Sequence, residues 1–205
     1  MGDKGFTATS LRDITTAADV NLASVNYHFG SKEALLAAVL ERRLQPINER
    51  RLQLLDELEL RSPIKPVELS DIVRAFMSPP FEQQQTWGSS GQTFFRLLGR
   101  IHSETNEDFR EVFMSKFEVV FQRFSTALRR SLPHLDSSSV NWRMLFMVGS
   151  MAFTMSWGQA MVSRDRKKFL ETNGALEALV AFTSAGLAAP LPRPAPVTRQ
   201  QEEAE

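Results

Sequence analysis

Apolar positions recur at three- and four-residue spacings almost throughout the chain, and no alternating run bounded by turn signals reads as a strand. The pattern therefore predicts an all-α fold. Short helices are expected at 10–17 and 22–28, parted by Ala18, Asp19 and Val20, followed by a much longer one from Ser31 through Ala34, Leu35, Ala38 and Val39 to about 58. The stretch Arg61-Ser-Pro-Ile-Lys-Pro66 ends it with two prolines, which lack the donor a helix needs. Further helices are expected at 68–77, 90–103, 106–131, 138–163 and 171–188. The Pro-, Gln- and Ser-rich segment 78–90 reads as a loop, and the Pro-rich, then acidic, tail 189–205 as disordered, because it buries too little apolar surface to offset its ordering entropy.

Capping chemistry sharpens the first three elements. Ser10 and Asp13 have the spacing of a reciprocal cap, Leu11, Ile14 and Ala17 or Ala18 form an apolar face, and Val20 and Val25 are expected to pack beneath it. Asn21 caps the next helix, which has only about two turns and must be held by tertiary packing. Its other residues, Leu22, Ala23, Ser24, Asn26, Tyr27 and His28, offer hydroxyl, amide, imidazole and methyl-sized contacts suited to base edges and phosphates in a major groove. No acid lies between Asp19 and Glu33, Gly30 permits a sharp turn, Ser31 caps the long helix, and Lys32 sits at its first turn, where dipole and ammonium both favour a phosphate.

Charge and composition then limit the possibilities. The 205 residues are 42% hydrophobic and 23% charged, enough for a small domain joined to a larger one. Lys plus Arg and Asp plus Glu are both 24, so the broad basic footprint of many nucleic-acid binders is missing. The absence of cysteine excludes disulfides and thiolate metal sites, and with no signal-like run at the N-terminus the expected compartment is the cytoplasm. Enzyme signatures are lacking: no Gly-rich phosphate loop, no metal-binding histidine pair, and His28, His102 and His134 far apart in sequence. No cofactor is expected. Residues 144–163 are uncharged and long enough to span a bilayer, but their Ser, Thr, Gln and Gly content fits a buried helix better, so no membrane is expected as a partner.

The run from Thr9-Ser-Leu-Arg-Asp-Ile through Val20-Asn-Leu-Ala-Ser-Val-Asn-Tyr-His-Phe to Gly30-Ser-Lys-Glu-Ala-Leu35 resembles helices two and three and the start of helix four of TetR-type transcriptional regulators. The resemblance implies a DNA-binding domain over 1–45, with Ser10, Asn21, Leu22, Ala23, Ser24, Asn26, Tyr27, His28 and Lys32 at the operator, and Tyr27 and Lys32 on phosphates. It implies an effector-binding domain over 46–188 and a homodimer formed through the last two helices. In that family a full helix precedes the equivalent of Gly5-Phe6, where this chain has only Met1 to Lys4. The expectation is a DNA-binding domain short of a packing partner, at a cost on the order of several kcal/mol, with weak operator binding that an N-terminal extension restores.

In the C-terminal part, Phe109, Phe113, Phe117, Phe121 and Phe124 fall on one helical stripe. Core packing accounts for each alone. Together with Phe94, Leu98, Met147 and Met151 they also suit an irregular apolar ligand chamber, with Met114 and Met155 adding adaptable side chains. The wording Phe95-Arg-Leu-Leu-Gly-Arg100 and Trp142-Arg-Met-Leu-Phe-Met-Val-Gly-Ser-Met resembles the branch of TetR-type repressors that senses fatty acids or their derivatives. That implies an acyl effector whose polar end meets Arg96, Arg100 or Arg143. A competing reading is a helical ligand-binding or scaffolding dimer that has lost DNA binding.

Overall fold

A computed structural model describes residues 6, 8–101, 113–161 and 174–191. All regular structure among them is helical: α1 (Leu11–Ala18), α2 (Leu22–Phe29), α3 (Lys32–Arg61), α4 (Leu69–Ile101), α5 (Glu118–Ser131), α6 (Ser137–Met161) and α7 (Gly174–Ala188). The three caps expected at the N-terminal end are all present. Ser10 and Asp13 form a complete capping box, Asn21 Oδ1 accepts from the Ala23 amide at 2.8 Å, and Ser31 Oγ accepts from the Ala34 amide at 3.0 Å. Each cap satisfies a donor that the first turn leaves orphaned.

Helix α3 is the spine. Its 30 residues extend about 45 Å, and its buried stripe, Leu36, Leu40, Leu44, Ile47, Asn48, Arg51 and Leu55, keeps one face inward along most of that length. It packs against α2 near its start and against α4 and α5 further on. Helix α4 in turn touches α5, α6 and α7, so the larger core is layered around it.

The expected loop at 78–90 is helix instead. Pro79 and Pro80 lie inside α4 and are buried. An interior proline normally breaks a helix because the carbonyl four residues earlier loses its donor. Here the carbonyl orphaned by Pro80 belongs to Phe76, and Arg51 of α3 donates to it through Nε at 2.8 Å. The replacement comes from a residue 25 positions away, which local composition does not reveal. Pro46, in α3, lies on the solvent-exposed side and has no such need. The actual break in α4 is at Gly88, whose φ of 56° and ψ of −129° suit glycine alone.

The expected helix 106–131 is also interrupted. A turn at Lys116–Phe117 separates a short helical stretch at 113–115 from α5, and the Lys116 carbonyl freed there accepts from Asn48 Nδ2 at 2.8 Å. Phe113 and Phe124 are buried and Phe117 and Phe121 half-buried, while Phe109 falls outside the described residues. Salt bridges clasp the outside: Lys116 to Glu41, Arg123 to Asp56 and Glu59, and Arg74 to Glu177.

Helix α6 settles the reading of its uncharged segment. Val140, Met144, Met147, Met151 and Met155 form a buried stripe, whereas Trp142, Phe146, Phe153 and Trp157 form a second, exposed one. Apolar faces on both sides cancel any amphipathic signal. No helix among the described residues is long and apolar enough to cross a membrane. The close approach of α6 to α4 depends on Gly99, because a Cβ there would collide with Ser156 Oγ, which donates to the Phe95 carbonyl.

Candidate nucleic-acid interface and effector core

Helix α2 has no buried residue. Asn21, Leu22, Ala23, Ser24, Asn26, Tyr27 and His28 are all exposed, Tyr27 at 87%, and its ring stands edge-on to His28 with centroids 5.3 Å apart. Only Val25 turns partly inward. Val20, expected beneath α1, is 49% exposed, and Ala17 and Ala18 are exposed while Thr15 is the buried residue of α1. An open groove of about 620 Å³ runs along Ile14, Ala17 and Ala18, with Leu35, Val39 and Arg43 of α3 and Phe94 and Leu97 of α4 on its other walls.

Three of the expected DNA-facing residues are engaged within the protein. The Ser10 hydroxyl donates to Asp13 Oδ2 at 2.7 Å and accepts from the Asp13 amide. Asn21 is occupied as the α2 cap. The Lys32 ammonium donates to the Phe6 carbonyl at 3.0 Å and stands 4.2 Å from the centre of the Phe6 ring, so part of its charge is spent holding the segment before α1. Among the described residues Ser24, Asn26, Tyr27 and His28 carry no such bond to another element, and they lie within two turns of one helix.

The candidate effector residues separate into two places. Phe94 lines the groove beside α1, with Leu98 half-buried further along α4. Met147 and Met151 are buried in the core, and Met151 touches Arg51. The turn that carries Phe117, just after the stretch holding Phe113, meets the same polar cluster through Asn48.

Two arginines named for a ligand's polar end do other work. Arg143 Nη1 donates to the carbonyls of Leu187 at 2.5 Å and Ala189 at 2.6 Å, with longer contacts to Gly186 and Pro190, and so caps the C-terminus of α7 where orphan carbonyls and the helix dipole attract a cation. It also pins the start of the expected tail, whose later residues from 192 lie outside the described ones. Arg96 is exposed and reaches Thr93 Oγ1 at 3.3 Å. The Arg100 side chain lies outside the described residues. The charged group missed from sequence is Arg51, 2% exposed, which looks like an ordinary surface position in a charge-rich helix.

Comparison with known proteins agrees with this architecture. Residues 1–39 match the family model for bacterial regulatory proteins of the tetR family, and residues 74–186 match that for a tetracyclin repressor-like C-terminal domain. Among solved structures, the chain is similar to a TetR family transcriptional regulator, PfmR from Thermus thermophilus, at 19% identity and a TM-score of 0.59, over 90% of this chain and 91% of that one. At that identity the likeness speaks for the fold alone. No curated protein matches the chain. With one family model over the helix-turn-helix and another over more than half of the chain, this protein belongs to the TetR family of bacterial transcriptional regulators.

Proposed function

We propose that the chain is a cytoplasmic homodimeric repressor that reads its operator with α2 and is released by a small apolar effector, a fatty acid or acyl derivative, bound in the C-terminal domain. The division lies near residues 45 and 46, inside α3. The observation that carries the reading is that Ser24, Asn26, Tyr27 and His28 are fully presented on a helix directly followed by α3, which continues without a break into the larger core. Leu22 and Ala23 supply apolar contacts beside them, and Lys32 keeps donors for a phosphate beyond the one given to Phe6.

Dimerisation uses the outward stripe of α6, Trp142, Phe146, Phe153 and Trp157, together with Phe182 of α7. Isolated apolar residues on a surface need no explanation, but a contiguous aromatic stripe does. Two such pairs of helices form a four-helix interface with two-fold symmetry. The paired α2 helices then meet half-sites about 34–36 Å apart, one turn of DNA. An effector that favours a different tilt of α3 withdraws them, by no more than its differential affinity for the two states.

Footprinting on the DNA flanking the gene tests the reading. Protection of a palindrome is expected, weakened about tenfold or more by Asn26→Ala or Tyr27→Ala, with binding lost on addition of the effector. The balanced charge, 24 residues of each sign, favours one other outcome, a ligand-binding dimer without operator affinity. Uniform failure to protect any flanking DNA, with acyl binding intact, would select it.

A further inference from the structure

Arg51 is the buried cation of the C-terminal core. Its guanidinium donates Nε to the Phe76 carbonyl at 2.8 Å and Nη1 to Asn48 Oδ1 at 3.0 Å, and it lies 4.2 Å from the centre of the Phe76 ring. Among the described residues the remaining nitrogen, Nη2, reaches the Met151 sulfur at 3.8 Å and no oxygen. Among the described residues no carboxylate lies within ion-pair distance. Five N–H donors thus meet two oxygens and a thioether, which is a weak acceptor. Burial lowers the Arg51 pKa to about 9, yet the group stays charged at neutral pH.

Closing the gap left by Pro80 needs one N–H, which a neutral amide could supply. A positive charge is not required for that, and burying one without a counter-charge is costly. Met151, the residue on the unsatisfied side, is flexible and among the cheapest side chains to displace. Met147 and Met155 lie on the same buried stripe of α6. The buried hydroxyls of Thr183 and Ser184, without a partner among the described residues, belong to α7, which packs on α4 and α6.

We propose that Arg51 is the receptor for an oxyanion, the carboxylate or phosphate head of an amphiphile whose tail displaces the methionines around Met151. The inference rests on the effector reading above and deepens it: the ligand is anionic, and its head is held by α3, the helix that also leads to the recognition helix. Two oxygens of the head replace the Met151 sulfur and take the free edge of the guanidinium, the geometry in which arginine binds carboxylate and phosphate best. The polar end is therefore met in the core, and not at Arg96 or Arg143.

The test titrates octanoate, octyl phosphate and 1-octanol into the delipidated dimer by calorimetry, with Arg51→Gln, which keeps a donor for Phe76, and Arg51→Lys, which keeps the charge. Thermal melts establish that each variant is folded. Wild type is expected to prefer one of the anions over octanol by about tenfold or more, the phosphate ester or the acid revealing which head is intended. Arg51→Gln should bind all three within about twofold of one another, and Arg51→Lys should keep part of the preference. Equal affinities for acid, ester and alcohol in wild type, a preference that survives Arg51→Gln, or no binding of either anion overturns the proposal. Operator release separates the two readings: Arg51-dependent anion binding that leaves DNA bound sinks the repressor mechanism alone, whereas release by octanol as readily as by octanoate sinks the anion site alone.

Discussion

Replacing Phe146 by alanine should split the dimer while leaving the protomer folded. The side chain is 63% exposed in the single chain, and a phenylalanine presents about 200 Å², so about 125 Å² awaits burial. At about 25 cal/mol per Å² this amounts to about 3 kcal/mol per protomer, and two-fold symmetry doubles it to about 6 kcal/mol for the dimer. The dimer dissociation constant should rise by about four orders of magnitude, less whatever neighbouring side chains recover by closing the gap. Sedimentation equilibrium across a concentration series measures it directly. Leu60 provides the control, since it is 80% exposed and belongs to α3, not to α6 or α7; Leu60→Ala should leave association unchanged. A Phe146→Ala protein that sediments like wild type, or a Leu60→Ala protein that dissociates equally, would refute the assignment of the interface to α6.

Gly88→Ala should lower stability by about 1–3 kcal/mol, because a side chain at φ 56° and ψ −129° is strained even with no neighbour in its way; a melt indistinguishable from wild type would show that the break in α4 relaxes freely. Glu177→Gln removes the forked pair with Arg74, whose bond and charge hold the Glu177 carboxyl below its usual pKa. A depressed folded-state pKa stabilises above the unfolded value and loses that contribution as pH falls through the folded one. The difference between wild type and variant should therefore be present at neutral pH, small because the pair is exposed, and should vanish in acid below the ordinary glutamate range, as read by urea melts at stepped pH.

Local signals in the sequence identified what depends on local chemistry. Ser10, Asn21 and Ser31 announce their helix starts because a cap is completed within three residues, and the structure has all three. The failures come from partners far along the chain. Pro79 and Pro80 read as a loop because the compensation for Pro80 sits on Arg51, and Arg143 reads as a ligand contact because the carbonyls it caps lie more than 40 residues away. The apolar run of α6 is visible, but its separation into an inward methionine stripe and an outward aromatic one is not, since a two-sided helix has no net amphipathic direction. At the candidate interface, sequence indicates which side chains α2 carries, and folding decides that Ser10, Asn21 and Lys32 are partly committed to the protein itself.

The bond from Arg51 to Phe76 also orders events during synthesis. A nascent segment 69–101 released without α3 would falter at Pro80, since the donor that replaces its missing one belongs to a stretch translated earlier. The ribosome delivers the arginine before the proline that needs it. Consequently α4 matures as a second-generation helix, templated on one already made, and a fragment beginning after Arg61 should populate it poorly even though its own length and hydrophobicity would otherwise suffice.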